Sequence, residues 1–223
     1  MNILPVFPSL IIKEKIKDYD KYKDELILYS YQQQKIDPSG VNKSNEGGWH
    51  SQTRYSNSQN PISSIVINLI KSILNNKNVF NIKDLSKAKM QMWININKPG
   101  DFNNKHEHPG SDLSGVFWVK SLQKSGNLTF YSPNVMTQIQ QINSTKEEIG
   151  KKLFITPTFQ IEPLEGVIVL FPSDLTHSVQ KNTSDEDRIS VSFNIDFRKG
   201  NRIFDNTFRN FWRYLFKIIF PMF

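Results

Sequence analysis

The sequence predicts a mainly β protein with flanking helices, in which helices come first and an antiparallel sandwich or barrel follows. Two observations carry this. Apolar residues change from a helical to an alternating period near residue 89, and beyond that point short alternating runs are separated by turns rich in Pro, Gly, Asn and Ser. A chain of 223 residues suits one well-buried domain with an appendage. Hydrophobic residues at 38% and aromatics at 12% exclude a disordered chain, which would lack the apolar area to offset its ordering entropy. The organisation expected is one domain over 1–200, with a helical or mixed part at 1–88 and the β core at 89–198, then a distinct tail at 201–223.

The first third reads as mixed and mostly helical. A Lys-rich stretch from Lys13 to Lys23 leads into Asp24-Glu25-Leu26-Ile27-Leu28-Tyr29, and the turn formers between Asp37 and Gly48 predict a loop. From Pro61 to Leu74, Ile62, Ile65, Val66, Leu69, Ile70, Ile73 and Leu74 recur at three and four positions, the buried face of a helix, with Pro61 suited to its first turn. Met90, Met92, Ile94 and Ile96 then alternate with Gln91, Trp93, Asn95 and Asn97, which sets the two groups on opposite faces of a strand. Further strands are expected at Leu113–Val119, Asn127–Tyr131, Phe154–Ile161, Val167–Phe171 and Arg188–Phe197.

The tail carries a helical stripe of Phe204, Phe208, Phe211, Trp212, Leu215, Ile218 and Ile219, with Arg209, Arg213 and Lys217 on another face. Such a helix suits peripheral contact with a membrane surface, or covers the barrel or a partner subunit of a homo-oligomer, and the covering role is the commoner use of an apolar stripe. No apolar run reaches the length that spans a bilayer and the N-terminus lacks a leader pattern, so a cytoplasmic protein without a transmembrane segment is expected.

With no cysteine, disulfides, thiolate metal sites and cysteine nucleophiles are excluded, and any metal must sit on nitrogen or oxygen. A net charge of +7 is diffuse, and without interleaved basic and aromatic residues in the β core a nucleic-acid partner ranks low. There are four histidines: His50, His106, His108 and His177. His106 and His108 are two apart, so on an extended segment both rings face one side and can reach one ion. His177 follows the apolar strand at Val167–Phe171 and is the candidate third ligand. For any one histidine alone, a surface or hydrogen-bonded role is the ordinary reading.

In the last strand Arg188, Ser190, Ser192 and Asn194 share one face while Ile189, Val191, Phe193 and Ile195 share the other. A guanidinium with a hydroxyl two residues on suits a carboxylate ligand. The same pattern suits a solvent-facing edge strand with Arg188 paired to Asp185, Glu186 or Asp187.

Taken in order, several stretches resemble the small bacterial and phage-type 2-oxoglutarate/iron(II) oxygenases, with the similarity running from about Val6 to Asp196. They are the segment from Ser44 through Gly47-Gly48-Trp49-His50 to Ser51, Trp93 to Gly100, and Asn104-Lys105-His106-Glu107-His108-Pro109 leading into Leu113 to Val119. Ser125 to Phe130, Gly166 to Ser173, Leu175 to Val179 and Arg188 to Asn194 complete the series. The resemblance implies a double-stranded β-helix core, a jelly-roll of the cupin-like kind. It also implies iron(II), 2-oxoglutarate as co-substrate and dioxygen, with hydroxylation of a small-molecule or peptidyl substrate. It places iron on His106, His108 and His177 as catalytic metal ligands, and the distal carboxylate of 2-oxoglutarate on Arg188 and Ser190, with Asn95 and Asn194 as further pocket residues.

The chain departs from the wider superfamily where His-x-Asp/Glu becomes His106-x-His108. Glu107 is adjacent but points away on an extended segment, and Asp112 reaches the metal only if its loop folds back. A second departure is Pro133-Asn134, where relatives more often have Pro-Arg. The first departure leaves two alternatives open: a three-histidine iron dioxygenase that needs no 2-oxoglutarate, and a non-catalytic β-helix module for binding or assembly.

Overall fold

The computed structural model describes residues 3, 8–55, 60–76, 79–80 and 88–197. Its elements in chain order are β1 (Ile12–Lys15), α1 (Lys23–Ile36), β2 (Asn45–Glu46), β3 (Trp49–His50), β4 (Arg54–Tyr55), α2 (Pro61–Leu74), β5 (Lys89–Asn97), β6 (Phe102–His106), β7 (Leu113–Lys120), β8 (Leu128–Tyr131), α3 (Val135–Ser144), α4 (Glu147–Lys152), β9 (Thr158–Ile161), β10 (Val167–Pro172), β11 (His177–Val179) and β12 (Arg188–Asp196).

From β5 onward the chain passes back and forth between two facing antiparallel sheets. One has the order β1-β10-β7-β12-β5-β3, with β4 also paired to β5; the other runs β2-β6-β11-β8-β9. This winding is the double-stranded β-helix, so the expected fold class holds. The pleat decides what each face of the larger sheet meets. Ile94 and Ile96 of β5, Phe117 of β7, Ile168 and Leu170 of β10 and Val191 and Phe193 of β12 pack outward against Leu26 of α1 and Val66 and Ile70 of α2. Trp118, Val169 and Phe171 point inward and meet Leu128, Phe130 and Ile161 of the smaller sheet. The remainder of the inner face is polar and lines the cavity described below.

Helix α2 has the bounds its periodicity predicts. Asn60 caps it, its side-chain oxygen accepting from the Ser63 amide at 2.8 Å, and Pro61 occupies the first turn, where its missing N–H leaves no gap. The N-terminal third is less helical than expected: β1 joins the edge of the larger sheet beside β10, and β3 and β4 pair with β5.

The strand expected over Phe154–Ile161 is only Thr158–Ile161. The residues before it complete α4, whose end is closed by Phe154 in the left-handed region and an Ile155 amide that donates to the Gly150 carbonyl at 2.9 Å. Helix α3 was not anticipated, although Val135, Ile139 and Ile142 carry a weak helical spacing. The amphipathic stripe expected at 201–223 lies outside the described residues. Among the described residues no helix is long and apolar enough to cross a membrane.

The tightest approach in the larger sheet is at Gly115 of β7, where an added Cβ would run into the Val169 carbonyl and the Phe193 ring. Gly115→Ala is expected to lower stability by about 1–3 kcal/mol through overpacking. Urea unfolding checks this, and an unchanged midpoint would overturn the overpacking argument.

Candidate metal centre and cavity

A cavity of about 590 Å³ opens between the two sheets. Its wall on the larger sheet is the polar face of two paired central strands: Gln91, Trp93 and Asn95 from β5, and Arg188, Ser190, Ser192 and Asn194 from β12. His106, His108 and His177 line the same space, with Trp118, Leu128, Phe171 and Val179 as its apolar side and Lys43, Lys105 and Glu107 among its polar lining.

The three histidines arrive by different routes. His106 ends β6 and His177 begins β11, and antiparallel pairing sets them directly opposite each other. His108 lies two residues past β6, where its amide donates to the Ser173 carbonyl at 2.9 Å. One ring nitrogen from each lies within 4.8 Å of the others. The Nε2 atoms of His108 and His177 are 3.2 Å apart. A divalent ion held about 2.1 Å from two imidazole nitrogens, at an angle near or a little above a right angle, separates them by about 3.0–3.4 Å.

The Nδ1 atoms of His177 and His106 donate to the Leu175 carbonyl at 2.8 Å and to the Asn104 carbonyl at 2.6 Å, which turns the Nε2 lone pair of each inward. The group therefore fits a metal, and a set of neutral imidazoles suits iron(II) among others.

Neither carboxylate near the histidines joins them. Glu107 accepts a hydrogen bond from the Thr176 hydroxyl, and Asp112 accepts from the Phe197 amide at 2.6 Å, so it ties down the end of β12. The expectation of three histidines without a carboxylate matches the cluster, and the Asp112 alternative does not.

Arg188 is not on a solvent-facing edge. Strand β12 lies between β7 and β5, and Arg188 is 1% exposed. Of its expected acidic partners, Glu186 pairs with Lys120 at 2.8 Å and Asp187 accepts from the Tyr31 hydroxyl at 3.0 Å. Its Nη1 donates instead to the carbonyls of Ser125, Gly126 (3.3 Å) and Gln180 (3.4 Å). Gly126, at φ 94°, leaves the space this needs, since a Cβ there would meet both Gln180 and Nη1. Burial pushes the guanidinium down to about 10, still cationic at neutral pH, with Asp101 acting to raise it. Among the described residues it makes no ion pair.

The other expected residues lie on the same wall. Ser190 is buried opposite Asn95 in the register. Asn95 donates to the Ser192 hydroxyl at 3.0 Å, while its own carbonyl oxygen is buried without a partner. Asn194 sits at the histidine end, its amide between Ser114 and His108. Two cavity residues received little weight in the sequence. His50 stacks on Trp93, with centroids 5.5 Å apart, and Trp93 contacts His108 at 5.7 Å. Trp49 is a core anchor, its indole N–H donating to the Asp37 carbonyl at 2.8 Å.

The model of the family described as "Putative 2OG-Fe(II) oxygenase" matches residues 91–194, a span that begins in β5 and ends in β12 and so contains the whole histidine cluster and Arg188. Over residues 91–194, just under half of the chain, the sequence is similar to that family. The 2OG-Fe(II) oxygenases use iron(II), 2-oxoglutarate and dioxygen, and His106, His108 and His177 could hold the iron.

Among solved structures the chain is similar to a prolyl-4-hydroxylase from Pseudomonas putida, at 12% identity over 83% of this chain and 91% of that one, with a TM-score of 0.56. It is also similar to a prolyl hydroxylase from Trichoplax adhaerens in complex with a hypoxia inducible factor oxygen degradation domain peptide fragment, at 14% identity over 84% and 83% of the two chains, TM-score 0.52. A third is the non-heme alpha ketoglutarate dependent carbocyclase of nogalamycin biosynthesis, at 8% identity over 83% and 78%, TM-score 0.52. At these identities the likeness is one of fold. No curated protein sequence matches the chain.

Burial is the main cause that lowers the imidazole values, from 6.5 to about 3 for His177 and to about 4 for His108. Both rings are thus neutral at neutral pH, the form that ligates metal. Because the unfolded chain takes up these protons first, the contribution to stability is complete above about 6.5 and is lost as pH falls toward 4 and then 3. Urea midpoints of the metal-free protein are expected to drop across that window, and His177→Gln to flatten the drop. An equally steep profile in the variant would show that other groups carry it.

Proposed function

We propose that the protein is a 2-oxoglutarate- and iron(II)-dependent dioxygenase that hydroxylates its substrate. The observation that carries the reading is Arg188: a buried cation without an ion pair among the described residues, in the same cavity as three convergent imidazoles. A guanidinium at such a site calls for an anion, and its planar fork suits a carboxylate.

His106, His108 and His177 would hold the iron, and Arg188 with the Ser190 hydroxyl would hold the distal carboxylate of 2-oxoglutarate. Asn95 would add an N–H donor from the same wall, with Ser192 then donating to its oxygen. With dioxygen, these cofactors supply the oxidising chemistry, in which co-substrate decarboxylation to succinate accompanies insertion of an oxygen atom into a C–H bond. The chain's own part is to position both ligands and to keep water from the reacting end through the apolar side formed by Trp118, Leu128 and Phe171. A small-molecule or peptidyl substrate would enter past Lys43, Lys105 and Glu107.

The all-histidine donor set favours a second reading, a dioxygenase that binds its organic substrate directly to iron without a co-substrate. The two separate experimentally. Calorimetry of the anaerobic, iron(II)-loaded protein is expected to show 2-oxoglutarate binding, weakened about 10- to 100-fold in Arg188→Lys, which keeps the charge but loses the fork. Absence of binding to the iron form would sink the proposal, and turnover of a substrate with no 2-oxoglutarate present would select the second reading. Substrate-dependent succinate formation would establish the reaction itself.

A further inference from the structure

We propose that His50 is a specificity-determining residue whose Nε2 accepts a hydrogen bond from a neutral N–H or O–H group of the substrate. The inference rests on the reading above and deepens it, since it narrows the substrate to a chemical class.

His50 is 5% exposed and lines the cavity from β3, the outermost strand of the polar wall. Its neighbours set its place there. Asn95 of β5 lies directly opposite it in the register, and Trp93, two residues earlier on β5, stacks on its ring with 10° between the planes. Trp93 in turn contacts the ring of His108, so the imidazole stands one side chain away from the metal ligands. Arg188 and Ser190, which hold the co-substrate in the reading above, belong to β12 on the other side of β5. His50 therefore borders a part of the cavity that the co-substrate's distal carboxylate leaves open.

The two nitrogens of this ring are unequal. Nδ1 lies 2.6 Å from the Ser51 carbonyl, which can only accept, so Nδ1 carries the proton. Burial pushes the ring below its ordinary value, and Lys43 acts in the same direction, which keeps it neutral at neutral pH. Nε2 is then an acceptor, and among the described residues no donor engages it. A histidine that only filled the wall would carry the penalty of an unmet acceptor, which a donor on the substrate removes.

Charge decides what kind of donor fits. The cavity lining carries Lys43, Lys105 and Arg188 against Glu107 alone, and a bound metal adds further positive charge. An ammonium group would enter against this field. An amide N–H or a hydroxyl makes the same hydrogen bond without the repulsion, so the class is an amide or alcohol, peptides included, and not an amine.

Nitrogen-15 spectra of histidine-labelled protein loaded with zinc(II) and 2-oxoglutarate test this with three probes: N-methylacetamide, a neutral donor; N,N-dimethylacetamide, which has no donor; and methylammonium, a charged one. Before any probe, His50 is expected to hold its proton on Nδ1, and N-methylacetamide alone is expected to shift its Nε2 resonance upfield. His50→Phe keeps a ring against Trp93 but has no acceptor. In that variant N-methylacetamide is expected to bind about 3- to 10-fold more weakly, read from the Trp93 indole resonance, with N,N-dimethylacetamide unaffected. A proton on Nε2, equal shifts by all three probes or no shift by any would overturn the inference. Should His50→Phe fail to fold, the wild-type titration decides alone. Calorimetry follows zinc and 2-oxoglutarate uptake separately; failure there would overturn the reading above, while the same probes titrated into the unloaded protein would still report on His50.

Discussion

A guanidinium taken out of water must be met by something, and in this molecule the requirement organises the cavity. Arg188 is buried at the start of a central strand, and three backbone carbonyls from two different loops converge on one of its nitrogens. Carbonyl dipoles satisfy hydrogen-bond donors without cancelling a full charge. The arrangement therefore stabilises the side chain's position while leaving its positive field directed into the space between the sheets. Gly126 belongs to the same requirement, because any side chain there would displace the carbonyl of Gln180 and the guanidinium together.

The cavity exists because β5 and β12 have two unlike faces. Their outward residues lie under α1 and α2 and close the main core, so the strands cannot slip by one residue without exchanging Val191 and Phe193 for Ser192 and Asn194. Register is thus fixed by apolar packing on one side, and the polar groups on the other side are held in place as a consequence. The apolar cluster formed by Trp118, Leu128, Phe130 and Phe171 fills the rest of the inter-sheet space and separates the cavity from the far end of the barrel.

Much of this was legible in the chain itself. Strict alternation in Arg188–Ile195 and Met90–Asn97 revealed both the strands and their polar faces, because a period of two is a direct image of the pleat. The spacing of His106 and His108 pointed to convergence, although the two are not carried on one extended strand: β6 ends at His106, and the loop beyond it turns His108 inward against Ser173. The edge-strand alternative for Arg188 could not be discarded beforehand, since pairing partners are set by tertiary contacts. The carbonyls of Ser125, Gly126 and Gln180 left no trace, because every residue has a carbonyl and only the fold decides which ones turn toward a cation. Helices α3 and α4 bury no residue: on α3 the stripe of Val135, Ile139 and Ile142 has helical spacing yet stays exposed, so it is not part of the packed core that the other periodic segments form.

The charges of the site narrow what it can hold. Three neutral imidazoles leave a divalent ion its full charge, where a carboxylate in place of His108 would remove one unit. Arg188 adds another positive charge on the same cavity wall, and of the two carboxylates near the ligands, Glu107 is engaged by Thr176 and Asp112 by the end of β12. Glu107 on the cavity lining and Asp101 near Arg188 offset part of this charge, since a hydrogen bond from a hydroxyl leaves a carboxylate its charge, but an anionic ligand still meets a more favourable field there than a neutral one. A ligand with a carboxylate for Arg188 and a second anionic group for the metal would use both features of the cavity, which is the electrostatic argument for the co-substrate in the proposed function.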